Sequence, residues 1–263
     1  MRQNNRQLML LAAVLMVGSA CAEYTPELWI SSNKLLEAGS CQPSDALANT
    51  GATLLNGVLD VEFASQYAMN LAIRSTLASS NSVTIEGGGQ AGVTSAWEAN
   101  EVQYTRLEVS ISSATPLGVA LPKRTIELSG SVRPGASVLM SLPEVLDSAM
   151  VNALRESPLL AEPGDEVNLR LRVRLYGRTM GNRSVDSNEF TFPVRVCRGC
   201  LFVIPPAAID ADFGSLNCRN FANFQDDSCY LGQDVPLDCR VICPLLIDRP
   251  GADPFGYCEP AGF

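Results

Sequence analysis

The chain of 263 residues has no histidine. That removes the commonest general base, the Ser-His-Asp and Cys-His catalytic arrangements, and imidazole as a metal ligand. Lysine is nearly as scarce, with Lys34 and Lys123 the whole set. The S-x-x-K spacing at Ser31-Ser-Asn-Lys34 therefore lacks the K-T-G companion that penicillin-binding chemistry uses, and it falls in the first strand region, so it reads as coincidence. A phosphate-cradling loop is missing too: Gly87-Gly-Gly89 follows a strand pattern without the lysine and helix such a loop needs. Asp210, Asp212, Asp226 and Asp227 do not continue into calcium-loop spacing and read as solvated acids near turns. Positive charge is in deficit, 19 basic against 28 acidic residues. Nucleic acid is a poor partner on that balance, because binding phosphates takes clustered cations. No cofactor or metal is expected.

What is present begins with the address. In MRQNNRQLMLLAAVLMVGSAC, Arg2 and Arg6 precede an apolar run from Leu8 to Val17 and the small residues Gly18, Ser19 and Ala20, the layout of a secretory signal. Ten apolar residues are too few for a permanent transmembrane helix, which needs about 20. The stretch Gly18-Ser19-Ala20-Cys21 resembles a bacterial lipobox, with Gly18 where that family usually has Leu. The resemblance implies cleavage before Cys21 and acylation of it, and Ala22 after it points to the outer membrane. An ordinary signal cleaved near Ala20 or Ala22 is the alternative. Multiple acyl chains give stable anchoring, so the membrane is the first expected partner. Loss of residues 1–20 takes away Arg2 and Arg6 and no acid, lowering the basic count from 19 to 17 and the formal charge from −9 to −11.

Alternation of period two dominates residues 26–198. Tyr67, Met69, Leu71 and Ile73 share one parity; so do Leu107, Val109 and Ile111; Ile126, Leu128 and Val132; Val167 through Leu175; and Phe190, Phe192, Val194 and Val196. With ELWIS near 29, SVTIE near 84 and ASVLM near 138, these make seven to nine strands. The expected fold is mainly β, an antiparallel immunoglobulin-like β-sandwich. The turn-rich GRTMGNRSVDSN predicts a hairpin with a long loop. One short helix is expected at 142–155, from the capping-box form of Ser141-Leu-Pro-Glu144 and the helical spacing of Val145, Leu146, Ala149, Met150, Ala153 and Leu154. Residues 21–25 would be the anchor and tether, and 199–263 a cysteine-rich C-terminal segment.

Of nine cysteines, seven lie from Cys197 onward: Cys197, Cys200, Cys218, Cys229, Cys239, Cys243 and Cys258. In an oxidising compartment disulfides are the default, stapling a segment too poor in apolar surface to fold by burial alone. A zinc site from Cys197, Cys200, Cys239 and Cys243 has the right ligand number but strands the other three tail cysteines. Thiol exchange is a third reading, weakened because Cys197 ends a strand and not the loop before a helix. If Cys21 is lipidated and the remaining eight all pair, Cys41 must reach a tail cysteine. That bond would close more than 150 residues, worth roughly 4 to 5 kcal/mol by chain entropy.

Arg170, Arg172 and Arg174 alternate on one strand and so project from one face of an acidic protein. Such a stripe could hold lipopolysaccharide phosphates, acidic polysaccharide or an acidic envelope protein; a solvated face whose long stems cover apolar neighbours is the plainer account. Finally, GVLDVEFASQYAMNLAIRSTL, RVRLYGRTMGNRSVDSNEFTFPVRVCRGCL and CYLGQDVPLDCRVIC are similar to a group of lipoproteins of myxobacterial type, over most of the chain from Gly57. The resemblance implies lipidation, a β-sandwich and a cysteine-rich end, and no activity. The expectation is a non-catalytic envelope module anchored at the outer membrane. Its competitor is a carboxylate-based hydrolase of envelope polymers, which would need two acids converging in a cleft.

Overall fold

The computed structural model describes residues 25–36, 40–41, 45–79, 98–203 and 229–247. Cys21, Cys218, Cys258, the strand expected near 84, Gly87 to Gly89 and the aspartates at 210, 212, 226 and 227 lie outside them. The described chain is mainly β. Its elements are β1 (Leu28–Lys34), α1 (Asp45–Thr50), β2 (Thr53–Leu54), β3 (Gly57–Asp60), β4 (Tyr67–Ser75), β5 (Val102–Ser113), β6 (Arg124–Val132), β7 (Ser137–Leu146), α2 (Ser148–Arg155), a 3-10 turn (Pro158–Leu160), β8 (Glu166–Thr179), β9 (Ser184–Asp186), β10 (Phe190–Cys197), β11 (Phe202–Val203), β12 (Leu237–Asp238) and α3 (Cys239–Ile247). No helix among the described residues is long and apolar enough to cross a membrane.

Two sheets share one core. The first has the order β2-β1-β4-β7; the second runs β3-β10-β8-β5-β6, with β9 added to the end of β8. From the second sheet, alternate residues of β8 (Val167, Leu169, Leu171, Val173, Leu175) turn inward and meet Met69, Leu71 and Ile73 of β4 in one buried cluster. Each such side chain contributes about 1.5–3 kcal/mol when fully buried. Pairing is antiparallel within the first sheet and nearly all of the second. The exception is β3, which lies parallel to β10 with Val194 opposite Gly57 and Cys197 opposite Asp60. No hairpin sets its direction, since the next strand in the chain, β4, belongs to the opposite sheet.

Two local expectations need correction. The Ser141-Leu-Pro-Glu144 stretch is the end of strand β7, and the helix starts only at Ser148, with Asp147 as its N-cap accepting from the Met150 N–H at 2.9 Å. Proline is tolerated there because β7 is an edge strand and its register slips at this point. Tyr67 faces Leu146 and Met69 faces Leu142, so Pro143 needs no ladder partner. In β4 the non-core parity is buried too: Ala68, Asn70 and Ala72 are all buried, Ala68 beside Gln233 and Asn70 between Asn33 and Ser141, and α1 packs against β4 and β7. The long hairpin loop contains its own strand, β9, so β8 turns tightly through Asn182 (φ 65°) before the chain reaches β10.

Candidate functional site

The outward parity of β8 carries Arg170, Arg172, Arg174, Tyr176 and Arg178. Register then supplies their neighbours. A slip between Tyr104 and Arg106 of β5 sets Glu108 opposite Arg174, Ser110 opposite Arg172 and Ser112 opposite Arg170. Glu108, Ser110, Arg172, Arg174 and Tyr176 line an open cleft of about 330 Å³ together with Lys123 and Glu189, while Arg170 and Ser112 lie further along the same face, outside it; the volume is at the lower end of small-ligand sites. Lys123 Nζ donates to Glu108 at 2.7 Å, and the Tyr176 hydroxyl donates to the same carboxylate at 3.2 Å. The lysine hydrogen bond foremost holds Glu108 below the ordinary glutamate range. Arg106 lies over the Tyr176 ring at 4.5 Å from its centroid and fixes the aromatic wall.

The three arginines of the stripe are not equivalent. Arg172 pairs loosely with Glu189 at 3.9 Å and Arg174 with Asp186 at 3.8 Å. Arg170 sits between the uncharged Ser112 and Pro193 and has no ion pair among the described residues. Arg195, further along the face, pairs with Glu166. Exposed pairs of this length contribute at most about 1 kcal/mol, so an incoming anion can displace the acids cheaply.

A second site joins the C-terminal segment to the second sheet at the β3 edge. Asp234 Oδ1 accepts from the Val58 N–H at 2.7 Å, and the Asp234 N–H donates to Val58 O at 3.0 Å. Beside it, the Gln233 carboxamide accepts from the Ala68 N–H at 2.7 Å and donates to Ala68 O at 2.8 Å. Ala68 lies beyond the reach of β1, whose pairing with β4 ends at Leu71, so this side chain stands in for a missing strand. The Tyr67 hydroxyl reaches Asp234 at 3.3 Å. Burial raises the Asp234 carboxyl above its ordinary value and, with the neighbouring carboxylate, pushes the Tyr67 phenol far up. Gly232 takes φ +74° with its Cα against the Ala64 backbone, where a Cβ would collide. Nothing in the local pattern of LGQDV announces these roles, because they depend on where two distant segments meet.

Covalent ties reinforce the junction. Cys41 is bonded to Cys229 across a sequence separation of 188, which by chain entropy is worth about 5 kcal/mol. Cys197 and Cys200 are bonded to each other, and Cys239 and Cys243 are also disulfide-bonded. The four thiolates that a zinc site would use are therefore engaged. A bond closing only four residues is worth about 2 kcal/mol, far less than the long-range one. Under this short loop lies Asp60, fully buried. Its carboxylate accepts from the Gly199 N–H at 2.8 Å, the Leu201 N–H at 2.9 Å and the Glu62 N–H at 3.1 Å. Burial raises Asp60 against the pull of these bonds. The Ser31–Lys34 pair forms no site: Ser31 Oγ donates to Ala72 O, and Lys34 Nζ donates to Gly51 O and Thr53 Oγ1.

No protein-family model and no curated protein matches the chain. A solution structure of a late embryogenesis abundant (LEA) protein aligns over 74% of this chain and 87% of its own, at 9% identity and a TM-score of 0.34. That likeness is too weak to carry an argument.

Proposed function

We propose that the chain is an exported lipoprotein of the cell envelope, anchored through Cys21 at the outer membrane, whose immunoglobulin-like β-sandwich is a non-catalytic binding module. Its ligand is an anionic group of an envelope polysaccharide, lipopolysaccharide or acidic envelope protein, held at the cleft between β5 and β8. The observation that carries this reading is the arginine stripe. In a protein of formal charge −9, Arg170, Arg172 and Arg174 emerge side by side at the centre of a sheet; Arg172 and Arg174 line the cleft with Lys123, and Arg170, next along the strand, has no ion pair among the described residues. Planar guanidinium groups suit phosphate and carboxylate oxygens.

Hydrolysis is the less favoured reading. Glycoside cleavage needs one carboxyl kept protonated and a second one free. In the cleft, Glu108 is held ionised by Lys123 and Glu189 faces Arg172. The bonded cysteines agree with an oxidising compartment. The test is retention of the purified chain on envelope fractions, comparing it with the triple variant R170E/R172E/R174E. Retention should be lost on reversal and should fall with added salt; unchanged retention by the variant refutes the assignment. Mass analysis of the mature protein reports acylation at Cys21 in the same preparation.

A further inference from the structure

The Cys197–Cys200 disulfide is not needed to shape the turn that contains it. Asp60 takes the N–H groups of Gly199 and Leu201; the Arg198 N–H donates to Asp165 O, and Arg198 O accepts from Gly164. The Arg198 side chain adds an ion pair to Glu62 at 3.0 Å and hydrogen bonds to the carbonyls of Leu160 and Ala161. The turn would keep its form with the sulfurs apart. Those sulfur-bearing residues differ in access: Cys197 is fully buried, whereas Cys200 is only partly buried, packed against the small apolar cluster of Leu201, Leu237 and Ile242. The Asp60 carboxylate and both sulfurs lie within 4.8 Å of one another.

We infer that Cys197–Cys200 is a thiol–disulfide exchange site, opened at Cys200 Sγ by a dithiol, with Asp60 as the proton partner of the buried Cys197 Sγ. A thiolate of the dithiol attacks Cys200 Sγ, a new S–S bond forms to the reagent, and the Cys197–Cys200 bond breaks with its electron pair on Cys197. A buried thiolate beside a carboxylate would be costly, so Cys197 must take a proton as it leaves, and Asp60 is the acid at hand. The second thiol of the reagent then gives its proton to water and, as a thiolate, attacks its own bound sulfur, closing the reagent's ring disulfide and releasing Cys200 as a thiolate, which takes a proton from solvent. In total the dithiol is oxidised by two electrons, the pair is reduced to two thiols, and Asp60 regains its proton from solvent. Activation here comes from a carboxyl packed under the turn and not from a helix N-terminus. The charged groups facing Asp60 are Glu62, which further raises it, and Arg198, paired to Glu62.

The experiment uses the full oxidised chain, dithiothreitol as the dithiol, alkylation quench and peptide mass mapping. Cys197 and Cys200 should be alkylated at least tenfold faster than Cys41 and Cys229, with the sheet circular dichroism unchanged. Opening no faster than that of Cys41–Cys229, or only together with loss of the folded signal, overturns the proposal. Asp60→Asn separates proton transfer from bracing, because the two roles have opposite signs. Loss of a brace loosens the turn and speeds opening, whereas loss of the acid slows it, by tenfold or more. Should that variant not fold, the unaltered chain decides: the opening rate per reagent thiolate should fall as pH rises through the ionisation of Asp60, and a flat profile refutes its role.

Discussion

Replacing Gln233 with Ala removes one side chain and orphans two backbone groups of another strand. The carboxamide supplies the hydrogen-bond partners seen for the Ala68 N–H and C=O, at 2.7 and 2.8 Å, in a place where Ala68 is fully buried. Each buried group left unsatisfied costs about 1–3 kcal/mol. The pair together should therefore cost roughly 3 kcal/mol after partial relaxation. With a urea slope of about 2 kcal/mol/M, the unfolding midpoint should drop by about 1.5 M. Disulfides must stay intact in the assay, so that Cys41–Cys229 keeps the segment tethered and the change reports the hydrogen bonds. Amide exchange at Ala68 is the local readout and should accelerate well beyond that of Leu71. Gln233→Glu should be at least as damaging, since it turns the donor facing Ala68 O and the Asp234 carboxylate (2.9 Å away) into an acceptor. A midpoint shift worth less than about 0.5 kcal/mol, with Ala68 still protected, would refute the idea that this side chain substitutes for a strand.

Burial raises Asp60 and Asp234 above the ordinary value of 3.8, so the folded state binds their protons more tightly than the unfolded chain does. The stability they contribute is complete below 3.8 and is lost as pH rises through their folded values. Urea midpoints of the unaltered chain, relative to those of Asp234→Asn, should thus rise as pH is lowered through that window; a constant difference would contradict it. At the cleft, Glu108→Gln should change stability by no more than about 1 kcal/mol, because its pair with Lys123 is solvent-facing. The same substitution frees Lys123 and should strengthen retention on anionic envelope fractions, and weaker retention would count against the anion assignment.

Strand content was legible because β5, β8 and β10 bury one face only, so parity in the sequence maps directly onto inside and outside. The arginine stripe followed from the same parity. What escaped was set by contacts between distant segments. Ser141 to Glu144 has the local grammar of a helix start, yet pairing with β4 keeps it extended, and Asp147 takes the capping role a few residues later. The second wall of the cleft depends on the slip between Tyr104 and Arg106, without which the even-numbered parity of β5 would not present Glu108 to Arg174. Gln233 and Asp234 look like turn residues and become edge-strand partners only because the chain returns to β3.

Cleft and junction occupy different parts of the same sheet, and this makes their roles separable. The order β3-β10-β8-β5-β6 places the C-terminal segment on β3 and the cleft between β8 and β5, with β10 between them. Register between β10 and β8 runs unbroken from Phe190–Val173 to Cys197–Glu166, eight consecutive pairs that do not depend on the tail. Loosening Gln233 or Asp234 therefore exposes the β3 edge without moving Arg172 or Arg174. An exposed edge offers unpaired N–H and C=O groups to other chains. The described part of the tail is thus best understood as a cover for that edge, fastened by Cys41–Cys229 and by two side chains acting as strand, while the cleft lies on the far side of β10 from it.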